Sequence, residues 1–127
     1  MPKKIIQPAG MAKPIAPYSP GTQVGNLVFV SGQVAFDAAG KVVGEGDVGR
    51  QTEQVLDNVK KVVEAAGGTL ADVFKCNIYI TSAANFGAMN EVYRRYFPSE
   101  QPARATVITG LARPELLVEI EAIANVG

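Results

Sequence analysis

A chain of 127 residues with 47% hydrophobic and 19% charged residues has room for one domain with a real core, spanning 1–127, and is too short for two. Lys plus Arg and Asp plus Glu number 12 each, so the formal net charge is zero and the bulk attraction that most nucleic-acid binders rely on is missing, although a local basic patch stays open. The chain has no histidine and one cysteine, Cys76, which excludes an internal disulfide, Ser-His and Cys-His nucleophile pairs and imidazole bases, and leaves too few ligands for a zinc site.

Residues 1–22 carry Pro2, Pro8, Pro14, Pro17 and Pro20 with Gly10 and Gly21, which cannot be a helix. An ordered, extended arm is expected, anchored by Ile5, Ile6, Ile15 and Tyr18. Tyr18 sits in Ala16-Pro17-Tyr18-Ser19-Pro20 and has two readings. It is either a ring packed on prolines or a phenol that a stiff loop presents to a neighbouring site. Gly25-Asn26 is a turn signal, and residues 27–36 read as a β-branched and aromatic strand. Ser31-Gly32 interrupts it, marking either a bulge or the close approach of a backbone or ligand. After a turn at 37–40, Lys41-Val42-Val43 is expected to begin a hairpin return.

Asp47 reads as the N-cap of a helix over 48–66. Val48, Val55, Val59, Val62, Val63 and Ala66, with Thr52, fall on one face, and Gly67-Gly68 ends it. Asp57, Lys60, Lys61 and Glu64 fall on the other face as solvated charges. Residues 73–80 form a strand with Cys76 as a small core residue. Thr81 or Ser82 is expected to cap a second helix with Phe86, Met89, Tyr93, Tyr96 and Phe97 as its core stripe, stopped by Pro98. Two strands close the chain, at 101–110 and 116–124. Helices lying between strands, each with one apolar face, imply an α+β sandwich: a mixed sheet with both helices on one side. The other sheet face is left uncovered, with Phe74 and Tyr79 on it, which argues for oligomerisation.

Two positions in the closing strands invite chemistry. Arg104 lies between Ala103 and Ala105, small neighbours that let a planar anion approach a guanidinium suited to gripping a carboxylate. Its partner is either Glu119 or Glu121 of the chain itself, or a ligand. Glu119 and Glu121 share one side of their strand. They read either as a solvent-facing edge or as a carboxylate that orients a water beside Arg104. Gly44 and Gly46 lack the Lys-Ser/Thr of a phosphate loop. No apolar run reaches spanning length and no leader opens the chain, so a reduced, cytoplasmic protein is expected.

Pro102-Ala103-Arg104 followed by Val118-Glu119-Ile120-Glu121-Ala122-Ile123-Ala124 resembles the C-terminal signature of the RidA (YjgF) family of enamine/imine deaminases. Ala16-Pro17-Tyr18-Ser19-Pro20-Gly21, Val30-Ser31-Gly32-Gln33 and Gln51-Thr52 through Asn58-Val59 resemble its N-terminal loop, a strand motif and its first helix. The resemblance implies a chorismate-mutase-like α+β sandwich with a mixed six-stranded sheet. It implies a homotrimer with active sites in clefts between subunits. It also implies a hydrolase that converts a small carboxylate-bearing enamine or imine to a carbonyl product and ammonia without cofactor or metal. By position, it makes Arg104 the carboxylate-holding arginine and Glu119 the water-positioning glutamate. Tyr18, Ser31 and Gly32 become parts of the pocket. Thr106 stands where many relatives have a cysteine, so backbone contacts there are retained and any thiol role is not. Ile6-Gln7-Pro8-Ala9-Gly10 and residues 110–119 resemble the RutC branch, 3-aminoacrylate deaminases, while 2-aminomuconate-type substrates also occur among relatives. Two other classes stay open: a non-catalytic trimer that senses keto acids, and an RNA-cleaving enzyme, against which the zero net charge and missing histidine weigh. No membrane or nucleic-acid partner is expected.

Overall fold

The computed structural model describes residues 2–127. Six strands form one sheet: β1 (Lys4–Ile6), β2 (Gly21–Val24), β3 (Leu27–Gln33), β4 (Val73–Ile80), β5 (Ala103–Ile108) and β6 (Val118–Asn125). Their order is β1-β2-β3-β6-β4-β5. Every neighbouring pair is antiparallel except β4 with β5. A parallel pair needs a crossover, and helix α2 (Phe86–Tyr96) supplies it. Helix α1 (Val48–Ala65) makes the matching crossover from β3 to β4, with β6 inserted between those two strands. Two crossovers of the same hand place both helices on one side of the sheet. The expected α+β sandwich with a mixed six-stranded sheet is what forms.

The core lies between this helix layer and the sheet. Val28, Val30, Cys76, Ile78, Ile80, Val118 and Ile120 face Val55, Val59, Val62, Val63 and Met89, all buried. Asp47 caps α1 by accepting a hydrogen bond from the Arg50 N–H at 3.0 Å. Gln51 is buried within α1 and ties the helix to the loop before β6. Its Nε2 donates to the Glu115 carbonyl at 2.8 Å, and its Oε1 accepts from the Leu117 N–H at 2.8 Å. That clamp sets where β6, and therefore Glu119, begins.

The opposite sheet face is uncovered and partly apolar, with Phe29 at 46% and Val107 at 47% exposure. Phe74 joins the exposed side for a reason the alternation does not contain. It has the same parity as Ile78 and Ile80, and only the register shift between Val73 and Lys75 removes it from their face.

Five expectations change. Of the apolar anchors in the N-terminal arm only Ile6 is buried, whereas Ile15 stands fully exposed and β1 does the anchoring by pairing with β2. The hairpin return after residue 40 shrinks to one bridge, Phe36 with Val42. Asp37 accepts from the Ala39 and Lys41 N–H groups at 2.9 and 3.0 Å, and Gly40, Gly44 and Gly46 take positive φ, so the segment stays in turns. Ser82 caps a single 3₁₀ turn, Ala83–Asn85, that leads into α2. Phe86 opens α2 at the rim and is 46% exposed. Asp57 is not simply solvated: it accepts the Tyr96 hydroxyl at 2.8 Å. Burial first, then that hydrogen bond, push the phenol up to about 12. No helix among the described residues is long and apolar enough to cross a membrane.

Candidate active site

Arg104 lies on β5, the last strand of the sheet, aligned with Cys76 of β4. Cys76 is wholly buried on the helix side, so Arg104 points to that side too. Three residues of α2 receive it. The guanidinium stands 4.9 Å from the centre of the Tyr93 ring and 5.7 Å from that of Phe86, and its Nη2 donates to Asn90 Oδ1 at 2.6 Å. Positions 86, 90 and 93 recur at helical spacing and share one stripe. The ion pairs among the described residues are Arg50–Glu53, Arg95–Glu53 and Arg113–Glu115, so Arg104 has no carboxylate partner. A charge-assisted bond to an amide contributes about 1.5–3 kcal/mol in general and leaves the positive charge uncancelled. The cleft in front of Arg104 has a volume of about 320 Å³ and is walled by Tyr93, Phe97 and Pro102. Thr106, two residues along, aligns with Ile78 and is partly exposed on the same side.

Glu119 lies on β6, near the middle of the sheet, aligned with Tyr79. It faces the uncovered side. The strand register shifts between Val30 and Gln33, and Gly32 within that irregularity lies against the Glu119 carboxylate. A Cβ at Gly32 would fall 2.9 Å from Glu119 Cδ and closer still to Oε2. The bulge reading of Ser31-Gly32 therefore holds, and the close approach at Gly32 is that of a side chain, the Glu119 carboxylate, not of a backbone or ligand. Burial first, and the neighbouring Glu121 second, raise the Glu119 carboxyl above its ordinary value of 4.5. Glu121 itself is occupied, since its Oε1 accepts from Asn77 Nδ2 at 2.9 Å and the Tyr79 hydroxyl at 2.8 Å. That bond also raises the Tyr79 phenol. The Glu119 carboxylate accepts no hydrogen bond from any described residue. The pair is thus not a solvent-facing edge: one carboxylate is held and the other is left open beside a glycine.

The loop that carries Tyr18 is tied to the same place. The Ser31 hydroxyl donates to the Ser19 carbonyl, and the Ser31 N–H donates to the Pro20 carbonyl at 2.9 Å. Ser31 therefore holds the loop, and it also lines a cavity with Asn77 and Glu121. Tyr18 is 54% exposed, so it is not packed away on its prolines. It shares with Gly32, Phe36 and Arg113 a cavity of about 130 Å³.

Two clusters result. Tyr18, Ser31, Gly32 and Glu119 gather around the β3 bulge, while Arg104 and Thr106 gather at the β5 edge. One chain does not unite them, because β4 lies between β6 and β5 and the two side chains leave opposite faces. The internal Arg104–Glu119 or Arg104–Glu121 ion pair is therefore absent. The sequence reading missed Asn90 and took Phe86 for core, while Tyr93 is core as expected and also meets Arg104. The available signal was Asn90 itself, a polar residue inside an otherwise apolar helical stripe. Among the described residues no group of three or more His, Cys, Asp or Glu side chains is placed to hold a metal ion.

Comparison with known proteins agrees with this fold. A family model described as endoribonuclease L-PSP matches residues 10–126. The fold is shared with RidA from the Antarctic bacterium Psychrobacter, at 37% identity over 96% of this chain and 98% of that one, with a TM-score of 0.89. The YjgF gene product of E. coli gives 34% identity over 96% and 98% of the two chains, with a TM-score of 0.89. E. coli TdcF, solved with bound serine, gives 35% identity over 96% and 98%, again with a TM-score of 0.89. With the match covering nearly its whole length, the chain belongs to the RidA/YjgF family.

Proposed function

We propose that this protein is an enamine/imine deaminase that hydrolyses a small carboxylate-bearing enamine or imine, of the 2- or 3-aminoacrylate type, to a carbonyl product and ammonia. One observation carries the reading: Arg104 is clamped by neutral groups, has no carboxylate partner and opens on a cleft. A cation held that way is matched by a ligand carboxylate. TdcF is described with bound serine, an acid with nitrogen on the carbon beside its carboxylate, as in 2-aminoacrylate. Residues 6–10 and 110–119, with their RutC-like sequence, favour the aminoacrylate class.

The enamine first tautomerises to its imine. Arg104 grips the carboxylate and fixes the imine carbon. Glu119 accepts a proton from water as the oxygen attacks that carbon and passes it to the nitrogen that receives the C=N π pair, giving the carbinolamine. In the second step Glu119 takes the carbinolamine hydroxyl proton as the carbonyl forms and the C–N bond breaks. It hands that proton to the departing nitrogen, which leaves as ammonia. A carboxyl raised by burial is suited to taking and giving back a proton. Because Arg104 and Glu119 leave opposite faces of the sheet, one substrate meets both only if two copies build the site. A homotrimer with inter-subunit sites meets that demand and covers the apolar sheet face. The same reading places the protein in the cytoplasm.

The description attached to the family model favours a second reading, RNA cleavage. The chain has neither histidine nor net positive charge to support it. The test is ammonia release from 2-aminoacrylate generated in situ. Arg104→Ala is expected to lower kcat/KM by about 100-fold, the scale of losing one partner of a hydrogen-bonded charge pair. An unchanged rate, or RNA cleavage that needs Arg104 while the imine goes untouched, would overturn the deaminase reading.

A further inference from the structure

The cleft that Arg104 opens on is lined by a second arginine. Arg94, in the last turn of α2, lines the same space, four residues beyond Asn90 on the helix. Its other walls are neutral: Asn90, Tyr93, Phe97, Gln101 and Pro102. No Asp or Glu lines it, and neither Arg94 nor Arg104 has an ion-pair partner among the described residues. The rest of the molecule treats its arginines differently. Arg95, the next residue, reaches Glu53 at 3.4 Å, Arg50 reaches the same carboxylate, and Arg113 holds Glu115. In a chain with zero net charge, this cleft therefore concentrates two uncompensated cations.

A helix C-terminus accounts for a cation in its last turn. It does not account for two arginines lining one cleft without an acid. Like charges that share a site repel, and an anion between them removes that cost. Asn90 and the aromatic rings occupy one side of Arg104, which leaves its remaining donors to the cleft. The volume of about 320 Å³ falls at the small end of ligand pockets, and one carboxylate against Arg104 engages only one of the two cations.

We propose that Arg94 and Arg104 form a paired-cation site that takes two anionic groups of one ligand. The preferred substrates are then dicarboxylic enamines or imines, with the α-carboxylate on Arg104 and the distal carboxylate on Arg94. This rests on the deaminase reading and moves its preferred substrate from the monocarboxylic aminoacrylate type to a dicarboxylic one. Arg94 acts on specificity and touches no reacting atom.

The experiment compares kcat/KM for the 2-imino acids made in situ from alanine and from glutamate by an amino-acid oxidase. The wild-type protein favours the dicarboxylic imine. Arg94→Ala lowers the dicarboxylic-to-monocarboxylic ratio about five- to tenfold, a partly exposed charge-assisted contact. Arg94→Lys restores part of it, and Arg95→Ala, whose side chain is outside the cleft, leaves the ratio where it was. A wild-type protein without the preference, or an Arg94→Ala variant with an unchanged ratio, overturns the paired site. Arg104→Ala separates the two levels. Loss on both imines keeps the deaminase reading whatever Arg94 does, and no loss on either sinks that reading itself.

Discussion

Arg104 and Glu119 lie fifteen positions apart and have contrasting surroundings. The arginine is at the sheet edge on the helix side, braced by an amide and two rings. The glutamate is near the sheet centre on the uncovered side, braced by nothing but a glycine's missing side chain and a neighbouring carboxylate. A cation gains from being held still, because orientation of a planar fork decides how well it meets a carboxylate. A group that moves protons gains from a raised proton affinity and from freedom to meet water. The surroundings differ as the two proposed tasks differ, and the sheet between them keeps each from neutralising the other.

The largest effect should come from the proton-handling side. Glu119→Gln is expected to lower kcat by about 10²- to 10⁴-fold, the range of a positioned acid–base group. The same variant should melt higher than the parent at neutral pH. Burial raises the carboxyl in the folded state, so the folded protein favours the protonated form, and the carboxylate costs stability at pH above that raised value. The cost fades as pH falls through the window and is gone below the ordinary value of 4.5. The gain in Tm should therefore shrink on acidification, and a gain that grew would contradict the assignment. The group is only partly buried, so the shift is small.

On the arginine side, Asn90→Asp puts a carboxylate on Arg104 where an amide oxygen now accepts. It should raise KM for carboxylate substrates about tenfold with kcat less affected, since the new acid competes with the ligand for one cation. An unchanged KM would mean that Asn90 does not set Arg104. The smallest effect belongs to Glu121→Gln. It keeps an acceptor for Asn77 and Tyr79 but removes the like charge that helps raise Glu119. The acid limb of the pH–activity profile, where Glu119 becomes protonated, should move to lower pH, and a limb that stayed in place would leave burial as its only cause.

Much of this is legible in the sequence. Alternation at 73–80 and 118–124, and helical recurrence from Val48 to Val63, specify a sheet with one helix layer because each pattern repeats at its own period. The uncovered face was legible too, through residues such as Tyr79 that alternate with core positions. Register was not. That Arg104 aligns with Cys76 and Glu119 with Tyr79 depends on pairing across strands, and the bulges at 30–33 and 73–75 change parity in ways local sequence does not announce. The two residues could therefore be named, but not their placement on opposite faces. Asn90 escaped because a lone amide in an apolar helical stripe looks like a break in the core until something charged is seen to meet it.

In the proposed active site, Arg104 comes from one copy and Glu119 from another. Mixing the inactive Arg104→Ala and Glu119→Gln proteins, with subunits allowed to exchange, tests it most directly. Sites built between copies should recover about a quarter of the parental ammonia release in an equal mixture, because one arrangement in four pairs an intact arginine with an intact glutamate. A mixture as inactive as its components, with exchange demonstrated, would contradict the account.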